Sequence, residues 1–168
     1  METFRRLPNG ANAAFYQQGA LSFDQVAAAA VLPRARGQGT VDVVVSTLAG
    51  EPSEELLEEL RSYFEERREI AVDVAVRGPE AVPVQAVVQV KAAQGLEFQT
   101  VKARVETGVR GWFTGKRLGE SVLRARLGSV IFGCDGVENY QLTAPAADVV
   151  LSSGQLPVLE SLSVEAMA

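Results

Sequence analysis

Hydrophobic and polar positions change their rhythm several times along the chain, and each change marks an element. The clearest rhythm follows Pro52-Ser53, where Leu56, Leu57, Leu60, Tyr63 and Phe64 fall on one helical stripe. Ser53 can cap the first backbone amides. Glu54 and Glu55 suit the positive end of the helix dipole, and Arg67 and Arg68 the negative end. The pattern predicts a helix over Ser53 to Arg68. The period then drops to two: Ile70, Val72, Val74 and Val76 alternate with Ala71, Asp73, Ala75 and Arg77, which predicts a strand with one wet face. Gly78-Pro79 interrupts it. Val82, Val84, Ala86, Val88 and Val90 then alternate again, with Gln85, Gln89 and Lys91 on the other side. Upstream, the apolar runs Val26 to Leu32 and Val41 to Val45 flank the connector PRARGQGT and read as a hairpin. Residues 12–19 (NAAFYQQG) allow a short helix closed by Gly19.

Downstream of Gly95, the residues Phe98, Val101, Val105, Val109, Trp112 and Phe113 trace a second amphipathic helix. It contains Gly108 and Gly111, each costing about 1 kcal/mol against Ala, so packing has to hold it. Thr114 to Gly119 is a turn. Ser121 is the expected cap of a third helix with Leu123, Leu127, Val130 and Ile131 on its apolar side, ended by Gly133 to Gly136. Val137 to Thr143 and Leu159 to Val164 read as strands, separated by a turn at Ala144-Pro145. Strand–helix–strand patterning therefore occurs twice, without a repeat of fixed period. The expected fold is α+β in two small lobes, 1–78 and 79–168, each a short, mainly antiparallel sheet covered by one or two helices. The break between Arg77 and Val82 is the expected boundary.

Composition narrows the chemistry. The 168 residues include no histidine and one cysteine, Cys134. Histidine-based triads, paired-His zinc motifs, disulfides within the chain and Cys-rich zinc sites are thereby excluded. The longest aliphatic run, Val26 to Leu32, is far shorter than the roughly 20 residues of a spanning helix, so no membrane span is expected. Met1 to Gly10 carries two arginines without an apolar core behind them, unlike a secretion signal.

The net charge of −5 gives no global attraction to nucleic acid. Basic residues nevertheless gather at Lys102, Arg104, Arg110, Lys116, Arg117, Arg124 and Arg126, against only Glu106 and Glu120. This reads as a solvated surface or a patch meeting an acidic neighbour.

The apparent motifs dissolve on inspection. Gly115-Lys116 resembles the end of a phosphate loop, but Arg110 and Arg117 stand where that loop needs Gly and Ser/Thr, and a helix precedes it rather than a strand. Gly37-Gln38-Gly39 is turn chemistry. Glu51, Glu54, Glu55, Glu58 and Glu59 read as a solvated helix face rather than a metal site. Cys134, at a helix C-terminus beside Asp135, is a poor nucleophile and a semi-buried packing residue. Trp112 and Phe113 lie at core spacing, not as a stacking platform for bases. No catalytic, cofactor or metal residues are expected. Arg34, Arg36, Lys116, Arg117, Arg124 and Arg126 are the candidate interface residues.

Four segments, in order, carry a resemblance. They are VLPRARGQGTVDVVV within Val26 to Val45, PSEELLEELRSYFEERREIAVDVAVRGPEAVPV (Pro52 to Val84), the long helix before TGKRLGESV (Thr114 to Val122), and GVENYQLTAPAADVVL (Gly136 to Leu151). Together they resemble the C-terminal half of the phage baseplate J-like family, wedge proteins of contractile tails and related injection systems, over about residues 12 to 164. The resemblance implies a structural wedge subunit of a phage or prophage-derived baseplate, assembled in the bacterial cytoplasm. Its implied partners are copies of itself and other wedge or tail proteins, with no enzyme activity, cofactor or small-molecule substrate. Family members ordinarily carry a further N-terminal region, so the chain is expected to be a fragment or a shortened prophage reading frame. Two other classes stay open from the residues alone. One is a small ligand-binding or regulatory module, which needs a closed pocket of convergent polar groups. The other is a nucleic-acid binder using Lys102 to Arg126, which needs steep salt dependence.

Overall fold

A computed structural model describes residues 13–168. The expectation for Met1 to Gly10, and Asn12 of the short helix, lie outside the described residues. Those up to Pro79 form one compact unit and Glu80–Ala168 form a second.

The first unit is a three-stranded sheet in the order β1 (Ala28–Pro33), β2 (Thr40–Ser46), β3 (Asp73–Arg77), with α1 (Ala13–Leu21) and α2 (Glu54–Arg67). β1 and β2 are the expected hairpin, antiparallel from Ala28↔Ser46 to Pro33↔Val41. Its connector turns through left-handed backbone at Arg34, Gly37 and Gly39, conformations that glycine adopts without Cβ strain. Ser53 caps α2 as expected, its hydroxyl accepting from the Leu56 amide at 3.2 Å. The core gathers Tyr16, Val43, Val45, Leu56, Leu60, Phe64 and Val76.

Two local expectations fail here. Gly19 does not close α1, which runs on to Leu21. A Cβ at Gly19 would stand 2.9 Å from Tyr63 Cε1 and 3.0 Å from Phe64 Cε1, so glycine serves close packing under α2's aromatic rings. Ile70 is not the first core residue of β3. It is 99% exposed in a turn, and the strand begins at Asp73. Arg68 explains the turn: its Nη1 donates to the carbonyls of Glu69, Ile70 and Val72 at 3.1–3.2 Å, withdrawing them from any strand ladder.

The second unit is a three-stranded sheet in the order β5 (Val137–Ala144), β4 (Glu80–Ala92), β6 (Gln155–Ala166), with α3 (Phe98–Trp112) and α4 (Arg124–Phe132) packed on each other. Its core holds Val84, Val88, Val90, Val101, Val105, Val109, Trp112, Leu127, Ile131, Leu142 and Val164. Gly108 has its packing reason, since a Cβ there would meet Cys134 Sγ at 2.8 Å. Ser121 is not the cap of α4. Its hydroxyl accepts from the Leu151 amide, while Asp148 Oδ1 accepts from the first helical amide, Arg124, at 2.8 Å. A carboxylate brought by the chain 24 residues later thus does what a local serine was expected to do. Strand β6 is longer than the alternating run suggested. The register shifts between Val84↔Leu159 and Gln85↔Ser161, leaving Glu160 as the extra residue of a bulge that breaks the alternation.

The α+β class with two small sheets is as expected, but the pairing is mixed rather than mainly antiparallel. β2 and β3 run parallel from Thr40↔Asp73 to Val44↔Arg77, because the crossover through α2 returns the chain to the starting end of the sheet. β4 pairs antiparallel with β5 on one edge and parallel with β6 on the other. Alternation reports which face a side chain takes, not strand direction.

Candidate interaction surface

The six candidate interface residues separate into two groups. Arg36, Arg117 and Arg124 are used within their own units. Arg36 reaches from the hairpin connector to Asp42 on β2 (2.6 Å) and to Asp73 on β3 (2.7 Å). Arg77 approaches the same Asp42 at 3.3 Å. The Asp42 side chain is 5% exposed, so two guanidinium groups compensate a carboxylate withdrawn from water. The hydrogen bonds to Asp42 first, and then to Asp73, raise the Arg36 pKa further and keep it charged. This cluster ties connector, β2 and β3 together. The sequence signal was present: an Asp inside the apolar run VDVVV needs a cation partner.

Arg117 lies over the Trp112 ring at 4.5 Å, donates to the Trp112 carbonyl at 3.0 Å and pairs with Glu120 at 3.2 Å. Trp112 is itself buried in the core. Arg124 donates to the carbonyls of Leu142 and Pro145, fastening α4 to the end of β5. Arg117 follows α3 and reaches the carbonyl of its last residue, while Arg124 opens α4 and reaches carbonyls at the end of β5.

Arg34, Lys116 and Arg126 are exposed, and none of them enters an ion pair among the described residues. Lys116 lies on the 3-10 turn Gly115–Arg117, opened by Thr114, whose hydroxyl accepts from the Lys116 amide at 3.4 Å. Lys102 and Arg110 on α3 likewise have no ion-pair partner there, whereas Arg104 donates to the Asp135 carbonyl. The helical layer of the second unit therefore presents free cations.

On α2 the charges are arranged differently. Arg61 pairs with Glu54 at 2.6 Å and Glu58 at 3.0 Å, Arg67 with Glu66, and Arg68 with Glu65. Glu55 and Glu59 stand exposed, one turn apart, outside these pairs. Among the described residues no group of His, Cys, Asp or Glu is placed to hold a metal. Burial, and then the charge of Asp135, push the Cys134 thiol up, and its Sγ donates to the Val130 carbonyl at 3.3 Å. An open groove of about 460 Å³ runs beside it, lined by Ala103, Arg104, Thr107, Gly108, Cys134 and Asp135. Among the described residues no helix is long and apolar enough to cross a membrane.

Comparison with known proteins accounts for this assembly of parts. The Baseplate J-like central domain matches residues 8–92, and the Baseplate J-like protein C-terminal domain matches residues 84–165. The chain belongs to the baseplate J-like family. The first match takes in the described part of the first unit and runs on through β4. The second begins inside β4 and ends within β6. The chain is similar to the phage-like element PBSX protein XkdT of Bacillus subtilis (strain 168), 25% identical over 179 residues. An uncharacterized protein of the same strain, YqbT, is 26% identical over 172 residues. Each alignment covers 95% of this chain and 49% of the relative, so the chain spans about half the length of these two proteins. A chain of the anti-feeding prophage (AFP) baseplate, solved by cryo-EM with sixfold symmetrisation, shares the fold. Its TM-score is 0.58 at 10% identity, covering 92% of this chain and 37% of that one.

Proposed function

We propose that this chain is the central and C-terminal part of a structural baseplate subunit in a phage tail or prophage-derived particle, and that it acts by assembly rather than catalysis. The observation that carries this reading is the pair of family matches, which together run from residue 8 to residue 165 and take in both units. The similarity to a phage-like element protein supports a prophage setting. In this reading the partners are copies of the chain and other wedge or tail proteins, assembly takes place in the bacterial cytoplasm, and the finished particle carries the chain in its baseplate. Permanent interfaces of this kind bury roughly 2,000 Å² or more and are rich in apolar surface. Phe132 at the end of α4 (56% exposed) and Val150 (82% exposed) supply such surface on the second unit.

Co-expression of the tagged chain with the tail proteins encoded beside it tests the reading. Retention of one or more of them through a high-salt wash is the expected result. A chain that elutes alone from every such co-expression would overturn it.

A further inference from the structure

Among the described residues, ion pairs take up most cations of the first unit, Arg34 excepted, and in the second unit only Lys91 and Arg117. In the first unit Arg36, Arg61, Arg67, Arg68 and Arg77 each have a carboxylate partner. In the second, Lys102, Arg110, Lys116 and Arg126 occupy α3, the 3-10 turn and α4 without one among the described residues. Among the described residues, unmatched charge on α2 is negative, at Glu55 and Glu59, whereas on the α3–α4 layer unmatched cations outnumber the one unmatched carboxylate, Glu106.

We propose that the α3–α4 layer of one copy docks on the α2 face of a second copy, with Arg110, Lys116 and Arg126 opposite Glu55 and Glu59. The proposal rests on the assembly reading and names the surfaces it would use. A second copy is the occupant because the chain itself carries, on α2 of its first unit, the charge that the layer lacks. Two chains of net charge −5 repel on average, and a juxtaposition of these opposite patches offsets that repulsion. The face of α3 is open at Ala103, Thr107 and Gly108, which line a groove, and a Cβ at the neighbouring Gly111 meets nothing within 4 Å. Two different patches meet, so the contact is heterologous and can repeat into a ring or an open filament.

Sedimentation velocity of the full chain against concentration and salt is the test, with the charge-reversed variants E55K/E59K and R110E/R126E. The wild-type chain is expected to self-associate at about 0.1 M salt and to weaken at least about tenfold at about 0.5 M. Each variant alone is expected to stay monomeric at concentrations where the wild type associates, and an equimolar mixture of the two to regain association. Circular-dichroism melts check that both variants fold. Should either not fold, E55Q/E59Q and R110Q/R126Q replace them, each expected to weaken association at least tenfold. Three results would overturn the proposal: a monomeric wild type, a variant that associates as the wild type does, or a mixture that stays monomeric. If the chain still co-purifies with its tail neighbours, only this contact falls. If it also elutes alone, the assembly reading falls with it.

Discussion

The connector end of the first sheet and the helical layer of the second unit both display arginines, yet they use them in opposite ways. At the first, Arg36 and Arg77 close on one buried carboxylate, Asp42, and the exposed Asp73 completes the cluster. There the cations belong to the fold, because Asp42 would otherwise sit uncompensated in a strand surrounded by valines. At the second, Arg110, Lys116 and Arg126 extend from helices whose cores are complete without them. Exposed cations of this kind contribute little to stability, and in the proposed contact they meet carboxylates of a second copy. Equal charge at two places thus carries different information, and only the position of the counter-charge separates them.

Substitutions can break that comparison, and the hydrophobic core sets the scale. Leu60→Ala, deleting a fully buried side chain of the first core, is expected to cost about 2–5 kcal/mol in urea unfolding, while Glu59→Ala on the wet side of α2 stays within about 0.5 kcal/mol. Similar midpoints for the two would show that the helix face is wrongly assigned. Asp42→Asn comes next, at about 2 kcal/mol, because the two guanidinium groups keep their places and lose the charge that justified them. Both guanidiniums are part-exposed and can turn to water, which holds the loss below that of a fully buried pair.

The glycines sharpen the contrast further. Gly19→Ala is expected to cost about 1–3 kcal/mol through its collision with Tyr63 and Phe64. Gly111→Ala on α3 is expected to gain up to about 1 kcal/mol in helix propensity, because nothing stands within 4 Å of the added methyl. The smallest effect belongs to R110E/R126E, whose unfolding midpoint should lie within about 0.5 kcal/mol of the wild type. A loss of the size expected for Asp42→Asn would place these cations in the fold, and the distinction between the two regions would collapse.

Much of the architecture was legible because it rests on local periodicity. The stripe Leu56, Leu57, Leu60 and Phe64 and the stripe Val101, Val105, Val109 and Trp112 identify their helices and buried faces outright. The limits of legibility fall where a distant residue decides a local outcome. Strand direction depends on the path of α2, the cap of α4 comes from Asp148, and the turn at Ile70 is held by Arg68. For the candidate interface residues, sequence gathers the cations of Arg34 to Arg36 and Lys116 to Arg126 without distinguishing them. Arg36 differs from Arg34 only because its side chain reaches Asp42 and Asp73, a matter of register across three strands. Arg124 differs from Arg126 because its fork faces the carbonyls at the end of β5.

In the proposed contact the free cations of the second unit serve assembly, whereas Arg36 and Arg77 of the first serve folding. The most direct test of this difference is electron microscopy of particles produced by a gene cluster in which the complete reading frame containing this chain carries R110E/R126E. Normal accumulation of the folded variant and tails that lack baseplates are the expected result. Baseplates as numerous as in the wild type, at the same level of variant protein, would contradict the proposed contact.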